Sequence, residues 1–449
     1  MTRPRQAAAT ASGIATALLA GPWRRRDAVR RVAVALGQAR AARWVGTLVA
    51  EVLAAYRDAP ADRPRELAAF VRTTEGWARG QAADVRPRVV RRQPVPTRTV
   101  RVRAPVADLP DLAALARLLD VDQGELAWLT DVRSWERTAD APLRHYRWRT
   151  VPRPAGGVRL LAAPKPRLRE AQRRVLRHVL APLPVHPAAH GCVRGRSVRT
   201  AALPHAGADV VLGMDLEGFF AGIPAGRVWG LLQGVAGLTE PVAHALTGLA
   251  TTVVPVAVWR RVPVPADPAG RDRHHRLGRR LAVPHLPQGA PTSPALANLV
   301  CARLDRRLAG LAAASGAVYT RYVDDLTFSG GAALRRDRFA DRVTAVAADE
   351  GFRVHPGKTR TAGSGRRQQV LGAVVNVRPT LPRPERDALR ALLHNCAVHG
   401  WASQVRDADP ATFRDAVLGR VAWASSVDPV LGARLHALAE RVDWSAAPS

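Results

Sequence analysis

Asp324 and Asp325 stand side by side between two apolar runs, Tyr322-Val323 before them and Leu326-Thr327-Phe328 after them. Adjacent carboxylates inside a buried strand would be prohibitively costly to ionise without a cation, whereas at a turn between strands they can converge on a metal. The pair alone is equally readable as an ordinary surface Asp-Asp turn. A second acid narrows the choice: the apolar run Val210-Val211-Leu212-Gly213-Met214 ends in Asp215, with Glu217, Phe219 and Phe220 just beyond. Nucleotidyl transfer uses two divalent cations about 4 Å apart, and magnesium takes one or two carboxylates together with phosphate oxygens. Carboxylates at the ends of neighbouring strands are what that chemistry requires. Of Phe219 and Phe220, one is expected to pack in the core and the other to wall a nucleotide sugar.

The elements needed to position these acids can be read from periodicity. Residues 7–80 read as Ala/Leu/Val-rich helices interrupted at Pro22 and Pro60. Residues 86–105 shift to Arg, Pro and Val and read as a basic extended linker. Residues 108–130 return to helix, with Leu112, Leu115, Leu118 and Leu119 on one face. A hairpin follows over 145–161, with Gly156-Gly157 as its turn, and then a helix over 168–180 bearing Arg169, Arg173, Arg174 and Arg177. A strand is expected over 209–216, helix over 229–254, a basic surface loop or hairpin over 260–280, and helix over 294–311 with Ser293 as its cap. Two short strands over 318–328, a helix over 338–350, a strand over 370–377 and four helical segments complete the chain. Strands and helices alternate without a βαβ rhythm, so the fold class is α+β.

Composition points to a partner. The 449 residues carry 68 basic and 37 acidic side chains, a formal net charge of +31. Such a charge self-repels unless a polyanion is near, and duplex nucleic acid presents a phosphate every ~1.7 Å of axis. An arginine-rich composition from a GC-biased genome is the plainer origin of the same charge. The three cysteines, Cys192, Cys301 and Cys396, are odd in number and far apart, which excludes a disulfide framework and fits a cytoplasmic location. His394, Cys396 and His399 lack a second ligand pair and read as helix residues rather than a zinc site. The Ala-rich stretch 7–20 is too short and small-residued to span a bilayer, so no membrane association is expected.

The motifs carry a family resemblance. Asp215-Leu216-Glu217-Gly218-Phe219-Phe220 resembles palm motif A of reverse transcriptases. Leu286-Pro287-Gln288-Gly289-Ala290-Pro291-Thr292-Ser293-Pro294 resembles motif B, and Tyr322-Val323-Asp324-Asp325 resembles motif C. The run 191–198 and His205 are similar to the bacterial retron-type enzymes, over a span from about Asp111 to about Asp443. That resemblance implies a right-hand polymerase: an N-terminal helical basic extension (1–105), fingers and palm (106–378) and a helical thumb (379–449).

It also implies roles for individual residues. Asp215, Asp324, Asp325 and the carbonyl of Leu216 would hold two Mg2+ ions, with Mn2+ as the alternative. Lys358 would protonate the leaving pyrophosphate. Arg153 and Arg159 would grip the triphosphate, their fork suiting that task. Phe220 would exclude a ribose 2′-hydroxyl, and Gln288 and Gly289 would lie along the incoming nucleotide. Tyr322, Gly372 and Asn376 would meet primer and template. The implied partners are a structured RNA template and primer, the RNA–DNA hybrid, deoxynucleoside triphosphates and a retron effector protein. The implied output is branched RNA–DNA made in antiphage defence. The chain departs from the retron pattern at Ala201, where Asn is usual, at Val370-Leu371-Gly372 in place of Val-Thr-Gly, and at Val323 in place of Ala. Another bacterial defence-associated reverse transcriptase, a group II intron-type maturase and a non-catalytic RNA-binding protein on a polymerase palm are the alternatives.

Overall fold

The computed structural model describes residues 3–60, 64–83, 87–90, 104, 106–131, 136, 139–152, 158–332, 334, 338–405 and 409–445. It forms two compact units: Met1–Arg149 with Ala162–Leu183 and Ala225–Pro255, and Thr150–Leu161 with Pro184–Pro224 and Val256–Ser449.

The first unit opens with helices Arg3–Leu19, Arg25–Ala35, Arg43–Ala55, Pro64–Val71 and Glu75–Gln81. Apolar side chains three or four apart, such as Ile14 and Leu18 or Leu48 and Val52, turn inward to one shared core. Of the expected linker, residues 87–90 lie on this bundle: the Val90 N–H donates to Ala35 O at 2.8 Å. Most of the remainder falls outside the described residues. The 108–130 segment is two helices, Leu112–Leu119 and Gln123–Thr130, because Asp120 turns left-handed at φ 59. Leu115 and Leu119 are buried, but Leu112 faces solvent. Helix Pro166–Val175 runs on into a π-helical turn, Leu176–Leu180. The expected 229–254 helix is likewise two, Ala225–Gly234 and Glu240–Ala250. A two-stranded hairpin, β1 (Tyr146–Pro152) and β2 (Val158–Pro164), contributes residues to each unit; its turn lies outside the described residues.

The second unit is built on a four-stranded antiparallel sheet of β3 (Val210–Asp215), β4 (Val318–Tyr322), β5 (Asp325–Gly330) and β6 (Arg360–Gly363), in the order β4-β5-β3-β6. β3 is central and apolar, with Val210, Val211, Leu212 and Met214 all buried. Phe328 of β5 stacks on Tyr319 of β4 at 4.9 Å and meets Phe339 edge-on at 5.2 Å. Helices Arg383–His399, Pro410–Val427 and Pro429–Ala439 close a second apolar cluster that includes Leu393, Val417, Val421 and Val375.

The structure corrects further expectations. Residues 260–280 are chiefly a helix, Pro268–Leu281, rather than a loop or hairpin. Asp267 accepts a hydrogen bond from Gly270 N at 2.6 Å and Pro268 takes the first helical position, so the Pro/Gly cluster is a helix start. Residues 370–377 are not one strand but a tight hairpin, β7 (Gln369–Val370) and β8 (Ala373–Val374). Leu371 and Gly372 both take positive φ, 52 and 88, the geometry of a two-residue hairpin turn. The 294–311 helix is two, Ser293–Val300 and Ala302–Ala314, and Ser293 is not its cap: Thr292 holds that position and the buried Ser293 hydroxyl has no partner. No helix among the described residues is long and apolar enough to cross a membrane.

Candidate active site

The antiparallel register brings the acids together. Asp215, the last residue of β3, pairs directly with Asp325, the first residue of β5, and Leu216 N donates to Asp324 O at 3.0 Å. On its other side the 215–217 segment is held by residues 353–355: His355 N donates to Asp215 O at 2.7 Å and Glu217 N to Arg353 O at 2.7 Å. The turn between β4 and β5 is Val323-Asp324, one residue earlier than the aspartate pair itself.

The carboxylates repel one another. Burial, then the neighbouring Asp215, raises the Asp324 carboxyl above its usual range, while Lys358 and Arg159 pull it down. Asp325 is exposed by area, yet the protein around it still desolvates its charge. That desolvation, with Asp324 and Asp215 nearby, pushes its carboxyl up to about 6. The Lys358 ammonium donates to Asp215 Oδ1 at 2.9 Å, partly balancing the cluster. Among the described residues no group of three or more His, Cys, Asp or Glu side chains is arranged to hold a metal ion unaided. An open set of carboxylates at strand ends suits magnesium, which keeps waters and fills its remaining positions with substrate oxygens.

The turn is held under strain. Val323 has φ 58, a left-handed value that a β-branched residue adopts at a cost of about 1–3 kcal/mol. Arg321 holds it there, donating from Nη1 to Val323 O at 3.0 Å and to Asn298 Oδ1 at 3.0 Å. The same guanidinium forms a bidentate pair with Asp305, at 2.8 and 2.7 Å, and both residues are fully buried. Tyr319 OH donates to Asp305 at 2.9 Å, and Asn298 Nδ2 to Gly191 O at 2.9 Å. Gly191 presses against the turn so closely that a Cβ there would lie 2.7 Å from both Val323 N and Cγ2. Beneath, His205 joins two strands: Nδ1 meets Ser329 Oγ and Nε2 meets Thr320 Oγ1, each at 2.7 Å.

Phe219 is buried and stacks on Phe352 at 5.7 Å, which makes it the core ring, while Phe220 is half-buried and meets Phe219 edge-on at 5.3 Å. Gln288 is half-buried, and Gly289 is exposed with φ 123. Arg159 is exposed on β2, close enough to act on Asp324, whereas Arg153 lies outside the described residues. Tyr322 is half-buried opposite Asp325. The Asn376 side chain is engaged within the chain, accepting from Gln368 N at 2.9 Å and donating to Ser364 O and Arg366 O at 3.1 and 2.8 Å. Sequence reasoning missed the Arg321–Asp305–Asn298 network, although an arginine inside an apolar strand beside the aspartates was a signal that a buried partner existed. It also missed the arginines around Glu217.

An antiparallel sheet that gathers acids at the ends of β3 and β5 is the α+β palm of a nucleic-acid polymerase. The family model "Reverse transcriptase (RNA-dependent DNA polymerase)" matches residues 151–375, half of the chain. The retron Mx65 reverse transcriptase of Myxococcus xanthus is 41% identical over 341 residues, covering 73% of this chain and 74% of that protein. The retron Mx162 reverse transcriptase of the same organism is 41% identical over 336 residues, covering 71% of this chain and 64% of that one. A foamy viral protease–reverse transcriptase in complex with double-stranded DNA superposes over 78% of this chain and 46% of its own at a TM-score of 0.35 and 14% identity, too distant to bear on the site. The chain belongs to the reverse transcriptase family, and within it to the bacterial retron type. It is an RNA-directed DNA polymerase.

Proposed function

We propose that the chain copies a cognate structured RNA into DNA as a retron enzyme, by two-metal nucleotidyl transfer at Asp215, Asp324 and Asp325. The observation that carries this reading is the register that sets Asp215 opposite Asp325 with Asp324 adjacent, inside the segment matching the family. Two Mg2+ ions, held by these carboxylates and the Leu216 carbonyl, would activate the primer hydroxyl and stabilise the leaving pyrophosphate. Arg159 and Arg153 orient the triphosphate, and Gln288 and Gly289 line the incoming nucleotide. Phe220 screens the sugar 2′ position and so favours deoxynucleotides. Lys358, which donates to Asp215 Oδ1 at 2.9 Å, gives its proton to the departing pyrophosphate. Tyr322 and Gly372 meet primer and template, and Asn376 serves them by bracing the chain after β8 through its bonds to Gln368, Ser364 and Arg366. Residues 106–378 serve as fingers and palm, 379–449 as thumb, and 1–105 as a basic extension. The product is branched RNA–DNA, the role antiphage defence with an effector protein, and the compartment the cytoplasm.

Deoxynucleotide incorporation on an RNA template tests the chemistry. Wild type should extend, and the Asp324→Ala/Asp325→Ala variant should lose roughly a thousandfold in rate. Equal rates would end the metal assignment, and inactivity of both would favour a binding protein on a polymerase palm. Sequencing the co-purifying nucleic acid tests the retron assignment: a 2′–5′ branched RNA–DNA species supports it, a heterogeneous product does not.

A further inference from the structure

The Pro268–Leu281 helix grips the segment that follows Asp215. Arg280 donates from Nη1 to Glu217 O at 2.8 Å, and its guanidinium lies over the turn that carries Phe220. A Cβ on Gly218, whose φ is 60, would stand 3.2 Å from Arg280 Nη1, and one on Gly222 would stand 3.7 Å away. The Glu217 side chain is enclosed by two further arginines, Arg276 at 3.4 Å and Arg353 at 3.6 Å. Its charge is therefore offset by arginine, with Oε2 buried and without a hydrogen-bond partner. Burial lowers the Arg280 pKa, with Glu217 opposing, as expected for a guanidinium drawn in from solvent. The helix is itself fixed from behind: Trp259 stacks on His274 at 4.4 Å, and Gly278 lets the indole approach where a Cβ would lie 2.9 Å from its Nε1.

We propose that Arg280 is a positioning residue for sugar selection, holding the 217–222 turn so that Phe220 stands at a fixed depth beside the nucleotide. Between Asp215 and Phe220 the buried Leu216 and Phe219 pin the chain on its inner side, and the turn itself is Glu217-Gly218, where Gly218 has φ 60 and Arg280 holds the Glu217 carbonyl from outside. Loss of the guanidinium frees that carbonyl and leaves the turn open on its outer side. Phe220 then moves while Asp215, fixed by β5 and by His355, stays in place. Discrimination against ribonucleotides should therefore fall more than the rate of deoxynucleotide addition. This inference rests on the assignment of Phe220 as the sugar screen.

The test measures kcat/KM for dNTP and rNTP incorporation by full-length protein carrying Arg280→Ala, Arg280→Lys, Arg279→Ala or Phe220→Ala. Arg279 is exposed on the same helix, so its variant controls for the change in charge. Arg280→Ala should lower the dNTP/rNTP ratio by about tenfold with kcat for dNTP changed less than about threefold. Arg280→Lys, which keeps one donor for the carbonyl, should recover part of the ratio and serves if the alanine variant does not fold. Arg279→Ala should leave the ratio unchanged. If Phe220→Ala loses discrimination while both Arg280 variants keep it, the positioning role is overturned and the sugar-screen reading stands. If Phe220→Ala keeps full discrimination, the sugar screen falls and the inference falls with it.

Discussion

Asp325, a metal ligand in the proposed mechanism, stands against the stability of its own fold. Its carboxyl sits at about 6 because protein and two like charges disfavour the ionised form. A folded-state pKa above the unfolded value of ~3.9 means the ionised carboxylate destabilises the fold: the penalty is complete above the folded pKa and disappears as pH falls below it. In metal-free buffer, Asp325→Asn should raise Tm at pH 8 by about 1–3 °C, its exposed oxygens keeping the effect small. The gain should shrink towards pH 4.5, and the variant should be inactive. A Tm that drops on substitution at pH 8 would show that Asp325 is held by something other than its repelling neighbours.

Among elements, the β4–β5 hairpin and the layer beneath it make the clearest case. Burial pushes the His205 imidazole down to about 4, so the folded protein keeps it neutral between two hydroxyls. The unfolded imidazole titrates near ~6.5, so this contribution is complete above that pH and lost as pH falls towards the folded value. His205→Phe should cost about 1–3 kcal/mol at pH 7.5 by leaving the buried Ser329 hydroxyl without its partner, while Thr320 keeps its bond to Ala201 O, and less at pH 4.5. Urea melts of both proteins at the two pH values check this; comparison with wild type matters because Asp325 titrates in the opposite sense over the same window. Legibility also varied by element. β3 and the β4–β5 pair were readable because an apolar run that ends in an acid is rare unless the strand delivers that acid to a site. The Pro268–Leu281 helix was not, because Pro263, Pro265, Pro268 and Gly270 are loop signals and the helix body, Arg271-Asp272-Arg273-His274-His275-Arg276, has no apolar stripe until Leu277. Its inward face is bound through arginines, which hydrophobic periodicity cannot detect. The Arg321–Asp305 pair was invisible for a related reason: its partners lie 16 residues apart and meet only once the sheet forms.

For the whole molecule, the formal charge of +31 can arise from a polyanion-binding surface or from a compositional bias. Salt dependence separates the two. A protein that neutralises 6–10 phosphates loses roughly 10³–10⁵ in affinity between 50 and 200 mM salt. Binding of an RNA–DNA hybrid should show a fall of that order when Kd is measured at both concentrations. A nearly flat response would assign most of the arginine content to composition.

The contact between Gly191 and the strained Val323 limits which substitutions the site can absorb. Trimming Val323 to alanine would clear the Cγ2 that a side chain at 191 meets, but the Val323 amide nitrogen, equally close, would remain in the way. The two positions thus form a one-sided pair in genetic terms: no replacement at 323 can act as a suppressor for the loss of glycine at 191. Residue 323 can still lose methyl groups, while the chain opposite it has no side chain left to give up.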